Sequence, residues 1–314
     1  MTSVTSVAEA GSAVAILISQ EELELRTEVA YNNLEECNVC PRECGVNRLE
    51  DEKLGFCRSG LNPVIASVSQ HHGEEPPISG TRGSGTIFFA NCNMRCEYCQ
   101  NYPISQMGHG TERTPGELAC QMMSLQEQGC HNLNLVTPTH YVPQILKALG
   151  IARERGFNLP IVYNTSGYDS LEMLVLLDGV IDIYMPDMRY SDNTMAVRYS
   201  VAPYYVQVNR AAVKEMYRQV GNLVMDKNGI AQRGLLVRHL VLPNGVAGTE
   251  GVMKFLVKEI SMDVYISLMS QYFPAYRAAE SKQLSRRITQ AEYDEAYKLK
   301  KKYGLKNGWV QNIE

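Results

Sequence analysis

Apolar residues gather in six short runs along the chain: Thr86–Ala90, Asn132–Val136, Pro160–Asn164, Ile181–Met185, Gly234–Leu242 and Val264–Met269. Each is rich in Val, Ile, Leu or aromatic residues and mostly apolar on both faces, the pattern of strands in a parallel sheet covered by helices. Helix signals lie between the runs. Thr114-Pro115-Gly116-Glu117 is a capping box with Pro at the first helical position; it leads into Leu118, Met122 and Leu125 at helical spacing and stops at Gly129. Pro143 opens a second helix carrying Ile145, Leu146, Leu149 and Ala152, and Asp169 with Glu172 starts a third. Thr249 caps a helix through Phe255 and Val257, while Thr289-Gln290-Ala291-Glu292 caps the last long helix, which ends at Gly304. Asp226-Lys227-Asn228-Gly229 reads as a small hairpin before the fifth strand. Six strands alternating with helices, joined right-handed, predict an α/β fold: a partial (β/α)6 TIM-like barrel.

Ahead of this pattern the texture differs. Residues 1–36 are a mildly acidic extension with a short helix expected over Gln20–Asn32. Residues 37–80 form a Cys-rich module of little periodicity, which lacks the apolar residues for a core of its own and needs a metal to hold it. The barrel is expected over 81–270, with a C-terminal helix and tail over 271–314. Across all 314 residues, 45% are hydrophobic and 20% charged, the balance of a globular protein. Lys and Arg number 30 against 34 Asp and Glu, a formal charge of −4, which argues against binding to nucleic acid or to an anionic membrane. The apolar run Ala13–Ile18 is too short to span a bilayer, and no Lys or Arg precedes it as in a secretory signal. A cytoplasmic location is the expectation.

Nine cysteines sharpen the picture. Seven fall between Cys37 and Cys99 in closely spaced groups, which in a long chain without an export signal suits metal binding better than disulfides. Cys92, Cys96 and Cys99, spaced C-x3-C-x2-C, follow directly on the first predicted strand. Three thiolates do not complete a structural zinc tetrahedron. They do suit three irons of a [4Fe–4S] cubane, leaving the fourth open to a small ligand at the barrel mouth, where such folds keep their chemistry. The earlier set, Cys37-x2-Cys40-x3-Cys44-x12-Cys57, suits a second centre, either zinc or an iron–sulfur cluster. Cys120 and Cys130 read as ordinary buried small hydrophobes.

The stretch Cys92-x3-Cys96-x-Tyr98-Cys99, with Gly83-Ser-Gly-Thr-Ile-Phe-Phe ahead and Gln100-Asn101 behind, resembles the cluster loop of the radical S-adenosylmethionine (SAM) superfamily, in the branch related to pyruvate formate-lyase activating enzymes. The resemblance implies a [4Fe–4S] cluster and SAM as cofactors, reductive SAM cleavage to a 5′-deoxyadenosyl radical, and hydrogen-atom abstraction from a substrate. For activating enzymes that substrate is a glycine of a glycyl-radical partner enzyme, and the electron comes from a low-potential reductant such as flavodoxin. Further positions match by resemblance. Asp187-Met188-Arg189 resembles an Asp-x-Lys element contacting SAM, with Arg in place of Lys. Asn164-Thr165-Ser166-Gly167 matches an Asp-Thr-Asn-Gly stretch, Arg238 an arginine facing the active site, and Gln271-Tyr272 a loop near the adenine. Tyr98 and Thr137 complete the expected cofactor contacts.

One departure stands out. Where the superfamily often has Gly-Gly-Glu-Pro after the second strand, this chain has Val136-Thr137-Pro138-Thr139-His140-Tyr141. His140 is there either a substrate contact or a helix cap. The change motivates an alternative in which SAM chemistry is directed at a small molecule or another peptide. A third reading makes both cysteine sets structural in a metal-binding scaffold without catalysis. His71-His72-Gly73-Glu74-Glu75-Pro76-Pro77 is expected to be either a metal site or, more simply, a polar linker packing over the cluster loop.

Overall fold

The computed structural model describes residues 18–50 and 55–311. The run Ala13–Ile18 lies outside them except for Ile18. Elements follow in the order α1 (Gln20–Asn32), β1 (Val64–His71), α2 (Pro76–Ser79), β2 (Ser84–Phe89), α3 (Tyr102–Ser105), β3 (Thr111–Glu112), α4 (Pro115–Glu127), β4 (Leu133–Val136), α5 (Val142–Glu154), β5 (Ile161–Thr165), α6 (Leu171–Leu176), β6 (Ile183–Pro186), α7 (Asn193–Ser200), α8 (Tyr205–Val220), β7 (Val224–Met225), β8 (Ala231–Leu240), α9 (Thr249–Phe255), β9 (Tyr265–Met269), α10 (Gln290–Lys302) and β10 (Gly308–Val310).

The six apolar runs become β2, β4, β5, β6, β8 and β9, parallel neighbours in one sheet. Both capping boxes form, at Thr114 and at Thr289. The turn at Asp226 returns β7 antiparallel onto β8. The sheet is wider than the runs suggested. β10 adds a seventh parallel strand on β9, and β1 and β3 extend the other edge in antiparallel pairing. Its edge strands, β10 and β3, lie at opposite ends of the strand order, so the barrel stays open.

Helix starts differ in two places. α6 begins at Leu171 behind Ser170, and Asp169 is instead buried, accepting hydrogen bonds from Thr139, Thr165 and Tyr163. The N-cap of α9 is Gly248 at φ 67°, and the Thr249 hydroxyl bonds His239 Nε2 at 2.9 Å. α7 and α8, between β6 and β7, have no counterpart among the expected helices. α8 is nonetheless well anchored, burying Val206, Ala212, Val213 and Met216.

Period-2 alternation along the strands sorts the side chains into layers. Leu133, Leu135, Tyr163, Tyr184, Val237, Ile266 and Leu268 face the helices and join the main core with Leu118, Met122, Leu146 and Leu149. Val162, Ile183, Met185 and Leu236 form a second, smaller apolar cluster with Ile78 of α2. Two residues further along the same strands and on the same faces come Asn164, Asp187 and Arg238. The next layer is therefore polar. Ile78 belongs to the β1–β2 connection, which enters at the N-terminal ends of the strands because His71 pairs with Ser84 at the start of β2. That connection plugs the end of the barrel opposite its mouth. The linker at His71–Pro77 thus does not pack over the cluster loop. Asn132 secures the plug by donating to the Ile78 carbonyl at 2.8 Å while accepting from Ser84 at 2.6 Å. Among the described residues, no helix is long and apolar enough to cross a membrane.

Candidate active site at the barrel mouth

The chain leaves β2 through Asn91, held at φ 67° with its N–H on the Ile104 carbonyl, and turns over the strand ends. The loop that follows is fixed by its backbone: Arg95 N–H donates to Ser200 O (3.0 Å) and Glu97 N–H to Tyr199 O (2.8 Å), both from α7. Cys92, Cys96 and Cys99 line one small cavity of about 90 Å³ together with Asn101, Ser105, Thr137, Ser166 and Arg189. Each sulfur has a neighbour able to share a hydrogen. Met94 N–H lies 3.4 Å from Cys92 Sγ, Ser200 Oγ donates to Cys96 Sγ at 3.0 Å, and Ser105 Oγ is 3.0 Å from Cys99 Sγ. Burial, and then the adjacent Cys96 thiol, push Cys92 up to about 12; burial likewise pushes Cys96 up. Cys92 and Cys96 are therefore protonated when free, and binding iron there means displacing those protons.

Tyr98 is buried, and its hydroxyl accepts from Tyr190 at 2.8 Å; Tyr190 is 2.7 Å from the same Ser200 that bonds Cys96. This chain of hydroxyls ties the aromatic of the loop to one sulfur. A second cavity of about 190 Å³ opens beside the first and shares Cys99, Asn101 and Arg189 with it; Tyr98, Gln100, Asp187, Arg238, Leu240, Met269 and Gln271 complete its wall. Asp187 organises the charges, accepting from Arg189 Nη2 at 2.5 Å and from Arg238 Nε at 2.9 Å. Asn164 Oδ1 accepts from Arg238 Nη2 at 2.7 Å. Gly167, at φ +73°, lets this turn close. A Cβ there would stand 2.4 Å from the Asp187 carbonyl and 2.1 Å from Asn209 Nδ2.

The structure thus brings Cys92, Cys96, Cys99, Tyr98, Thr137, Asp187, Arg189, Arg238 and Gln271 to one mouth, with Asn164 just beneath. Thr165 faces elsewhere: its hydroxyl donates to Asp169 at 2.7 Å and receives the Gly167 N–H at 3.1 Å. His140 is neither a substrate contact nor a cap. It is fully buried, its Nε2 lies 3.0 Å from the Ala90 carbonyl, and burial holds its pKa down at about 3, so the ring is neutral and Nε2–H donates. Cys130 is buried as expected, but Cys120 is exposed, with Arg155 Nη1 3.1 Å from its sulfur.

Sequence reasoning missed three participants. Ser166 lines the cysteine cavity with a buried hydroxyl that has no hydrogen-bond partner among the described residues. Glu74 reaches the polar layer from the plug. Arg48 is almost wholly buried and donates to three carbonyls, Ser59 (2.9 Å), Gly60 (3.0 Å) and His140 (2.8 Å), pinning the Cys-rich segment to the barrel. The motif Asn164–Gly167 contained the signal for Ser166. Glu74 stood out only within His71–Pro77 as a metal or linker candidate, because its partners lie 60 to 164 residues away on other strands, and Arg48 had no signal, because its partners are carbonyls that sequence does not mark.

Cys37, Cys40, Cys44 and Cys57 also gather. Burial pushes Cys40 up to about 12, and the thiols of Cys57, Cys37 and Cys44 add to the shift. Arg42 and Arg95 stand between this set and the barrel-mouth cysteines, their guanidiniums 3.6 and 4.5 Å from the Phe56 ring centroid. All nine cysteines are free, and among the described residues no three His, Cys, Asp or Glu side chains converge as they would on a single metal ion.

The barrel-mouth donor set fits a cluster with SAM beside it. Three sulfurs line one cavity, Ser166 Oγ and Arg189 Nε are buried there without hydrogen-bond partners among the described residues, and charged groups continue into the adjoining cavity. The radical SAM superfamily profile matches residues 86–187. The chain is 32% identical over 293 residues to uncharacterized protein MJ0674 of Methanocaldococcus jannaschii, covering 90% of this chain and 79% of that one. To MJ0808 of the same organism it is 30% identical over 175 residues, 49% of this chain and 50% of that one. Among solved structures, Streptococcus suis SuiB bound to S-adenosylmethionine matches at TM-score 0.49 and 8% identity, covering 71% of this chain and 48% of that one. HydG, a maturase of the [FeFe]-hydrogenase, matches at TM-score 0.46 and 11% identity, covering 93% and 63%. Residues 86–187 carry a radical SAM superfamily domain. The chain as a whole belongs to the same family as MJ0674.

Proposed function

We propose that this protein cleaves SAM reductively at Cys92, Cys96 and Cys99 and uses the radical to take a hydrogen atom from a glycine of a glycyl-radical partner enzyme. The observation that carries the cleavage reading is that the three thiols line one cavity with Ser166 Oγ and Arg189 Nε, which have no hydrogen-bond partner among the described residues. Cys92, Cys96 and Cys99 would hold a [4Fe–4S] cluster, and such a cluster, once reduced by a low-potential donor, would supply the single electron for cleaving SAM to methionine and a 5′-deoxyadenosyl radical. The protein's own part is positional. Ser200, Met94 N–H and Ser105 hold the sulfurs, and their hydrogen bonds bear on the reduction potential. Arg189 and Arg238 offer cationic donors to a carboxylate, while Asp187 keeps the two guanidiniums together and can receive an ammonium.

The glycyl target and the flavodoxin-type reductant rest on the resemblance of the Cys92–Asn101 loop to activating enzymes, and a cytoplasmic setting rests on the sequence expectation alone. A small-molecule or peptide substrate is the second reading, favoured by Val136-Thr137-Pro138 standing where the superfamily often has a glutamate. A second centre at Cys37, Cys40, Cys44 and Cys57, zinc or iron–sulfur, rests on their spacing alone, since among the described residues these thiols do not converge as on a single ion.

Anaerobic reconstitution with iron and sulfide tests the proposal. The parent should release 5′-deoxyadenosine and methionine from SAM, and Cys96→Ala should not. Equal turnover by the two proteins would sink the assignment. About four irons per chain would indicate one cubane and about eight would indicate two. A glycyl-radical signal in a candidate partner after mixing would separate the first substrate reading from the second.

A further inference from the structure

The plug at the closed end of the barrel carries a charged side chain into the site. Glu74 precedes α2, where Ser79 Oγ bonds both its N–H (3.0 Å) and its carbonyl (3.3 Å), fixing the backbone. Its side chain, 9% exposed, points into the polar layer of the barrel. There Oε1 accepts from Asn134 Nδ2 at 3.1 Å and Asn164 Nδ2 at 3.4 Å, and Oε2 lies 3.6 Å from Arg238 Nη1. Asn164 and Arg238 are themselves joined at 2.7 Å. Glu74, Asn164 and Arg238 therefore close a ring of contacts, and Arg238 then reaches Asp187 and the ligand cavity. Glu75, next along the plug, brings a second buried carboxyl towards the same guanidinium; one of its oxygens has no hydrogen-bond partner among the described residues.

Resting on the SAM-cleaving reading above, we propose that Glu74 is a positioning residue of the active site, holding Arg238 and Asn164 from below so that the Arg238 guanidinium is presented to SAM in a fixed orientation. The sheet alone does not do this. Arg238 has a long, flexible side chain, and its strand supplies direction but no restraint on the guanidinium plane. Asp187 fixes Nε, Asn164 fixes Nη2 and Glu74 faces Nη1, so that all three nitrogens of the fork have a side-chain partner. The plug, 60 or more residues from Asn134, Asn164 and Arg238 in sequence, becomes part of the binding apparatus.

Glu74→Gln tests this. It keeps the volume and an acceptor for the asparagines but removes the charge opposite Arg238. In cluster-loaded protein, the dissociation constant for SAM, measured by equilibrium dialysis, should rise about tenfold, in the range expected when a supporting partner is lost. The melting temperature should stay within a few degrees of the parent. A role confined to folding predicts the reverse: a lowered melting temperature and unchanged SAM affinity in the folded fraction. Unchanged affinity overturns the proposal whatever the melting temperature does. Should Glu74→Gln fail to fold, Asn134→Ala serves instead, because it removes one donor to Glu74 without touching Arg238; roughly threefold weaker SAM binding supports the proposal and unchanged binding overturns it. Failure of the parent to bind or cleave SAM would count against the cleavage reading itself, a result distinct from equal affinity in parent and variant.

Discussion

Asp187→Asn is the sharpest test of the charge arrangement at the barrel mouth. The substitution is isosteric, so packing is kept and only the charge changes. In the parent, one carboxylate with a 9% exposed side chain receives Arg189 at 2.5 Å and Arg238 at 2.9 Å. Arg238 retains Glu74 at 3.6 Å and Asn164 at 2.7 Å after the change. Arg189 retains no carboxylate at all, because Asp187 is the one acid it pairs with among the described residues. Breaking a buried pair by removing one partner typically costs about 3–5 kcal/mol, since the remaining charge is left uncompensated. Arg189 is partly exposed, its side chain at 24%, so solvent screening brings the expectation down to about 2–3 kcal/mol. Anaerobic urea denaturation of parent and variant at matched iron content measures it. SAM turnover should fall on the order of a hundredfold, because misdirected guanidiniums no longer preorganise the ligand. A variant within about 0.5 kcal/mol of the parent would refute the reasoning, since it would mean that the two arginines do not depend on Asp187 for charge balance.

Two further predictions concern stability away from the chemistry. Arg48→Met keeps the apolar stem but leaves the carbonyls of Ser59, Gly60 and His140 without their donor, so a loss of roughly 3 kcal/mol and faster proteolysis of the segment around Cys37–Cys57 are expected; loss below about 1 kcal/mol would contradict the geometry. Burial pushes the Asp182 carboxyl up to about 7, against the Ile161 N–H it accepts. The folded chain therefore holds a proton between roughly pH 4 and 7 that the unfolded chain has released, and stability falls as pH rises through that window and levels above it. Asp182→Asn removes this dependence: relative to the parent it should gain on going from pH 5 to pH 8 by a few kcal/mol at most, and a difference independent of pH would show that the carboxyl does not titrate there.

Much of the barrel was legible because its strands are local signals. Six apolar runs bounded by turn residues became the six central strands, and Thr114 and Thr289 marked their helices through side chains three residues apart. The cysteine loop was equally plain, since three ligands within eight residues state their chemistry by spacing. α8 escaped because its helix has no capping side chain and begins behind Tyr204 at φ 55°. β10 escaped because three residues carry no periodicity, and it exists only by pairing with β9.

Composition, runs and spacing determined on their own that the chain would build a parallel α/β barrel with three thiols at its mouth. Tertiary structure alone decided which polar groups meet within it. The linker His71–Pro77 became a plug, and Glu74 an Arg238 partner, because the antiparallel pairing of β1 with β2 carries that segment to the closed end. Thr165 and His140 were drawn off to Asp169 and to the Ala90 carbonyl, since buried polar groups must find partners wherever the fold places them. Local sequence encodes backbone direction and side-chain periodicity. The partner across the barrel depends on strand register, which becomes definite only when distant segments pack.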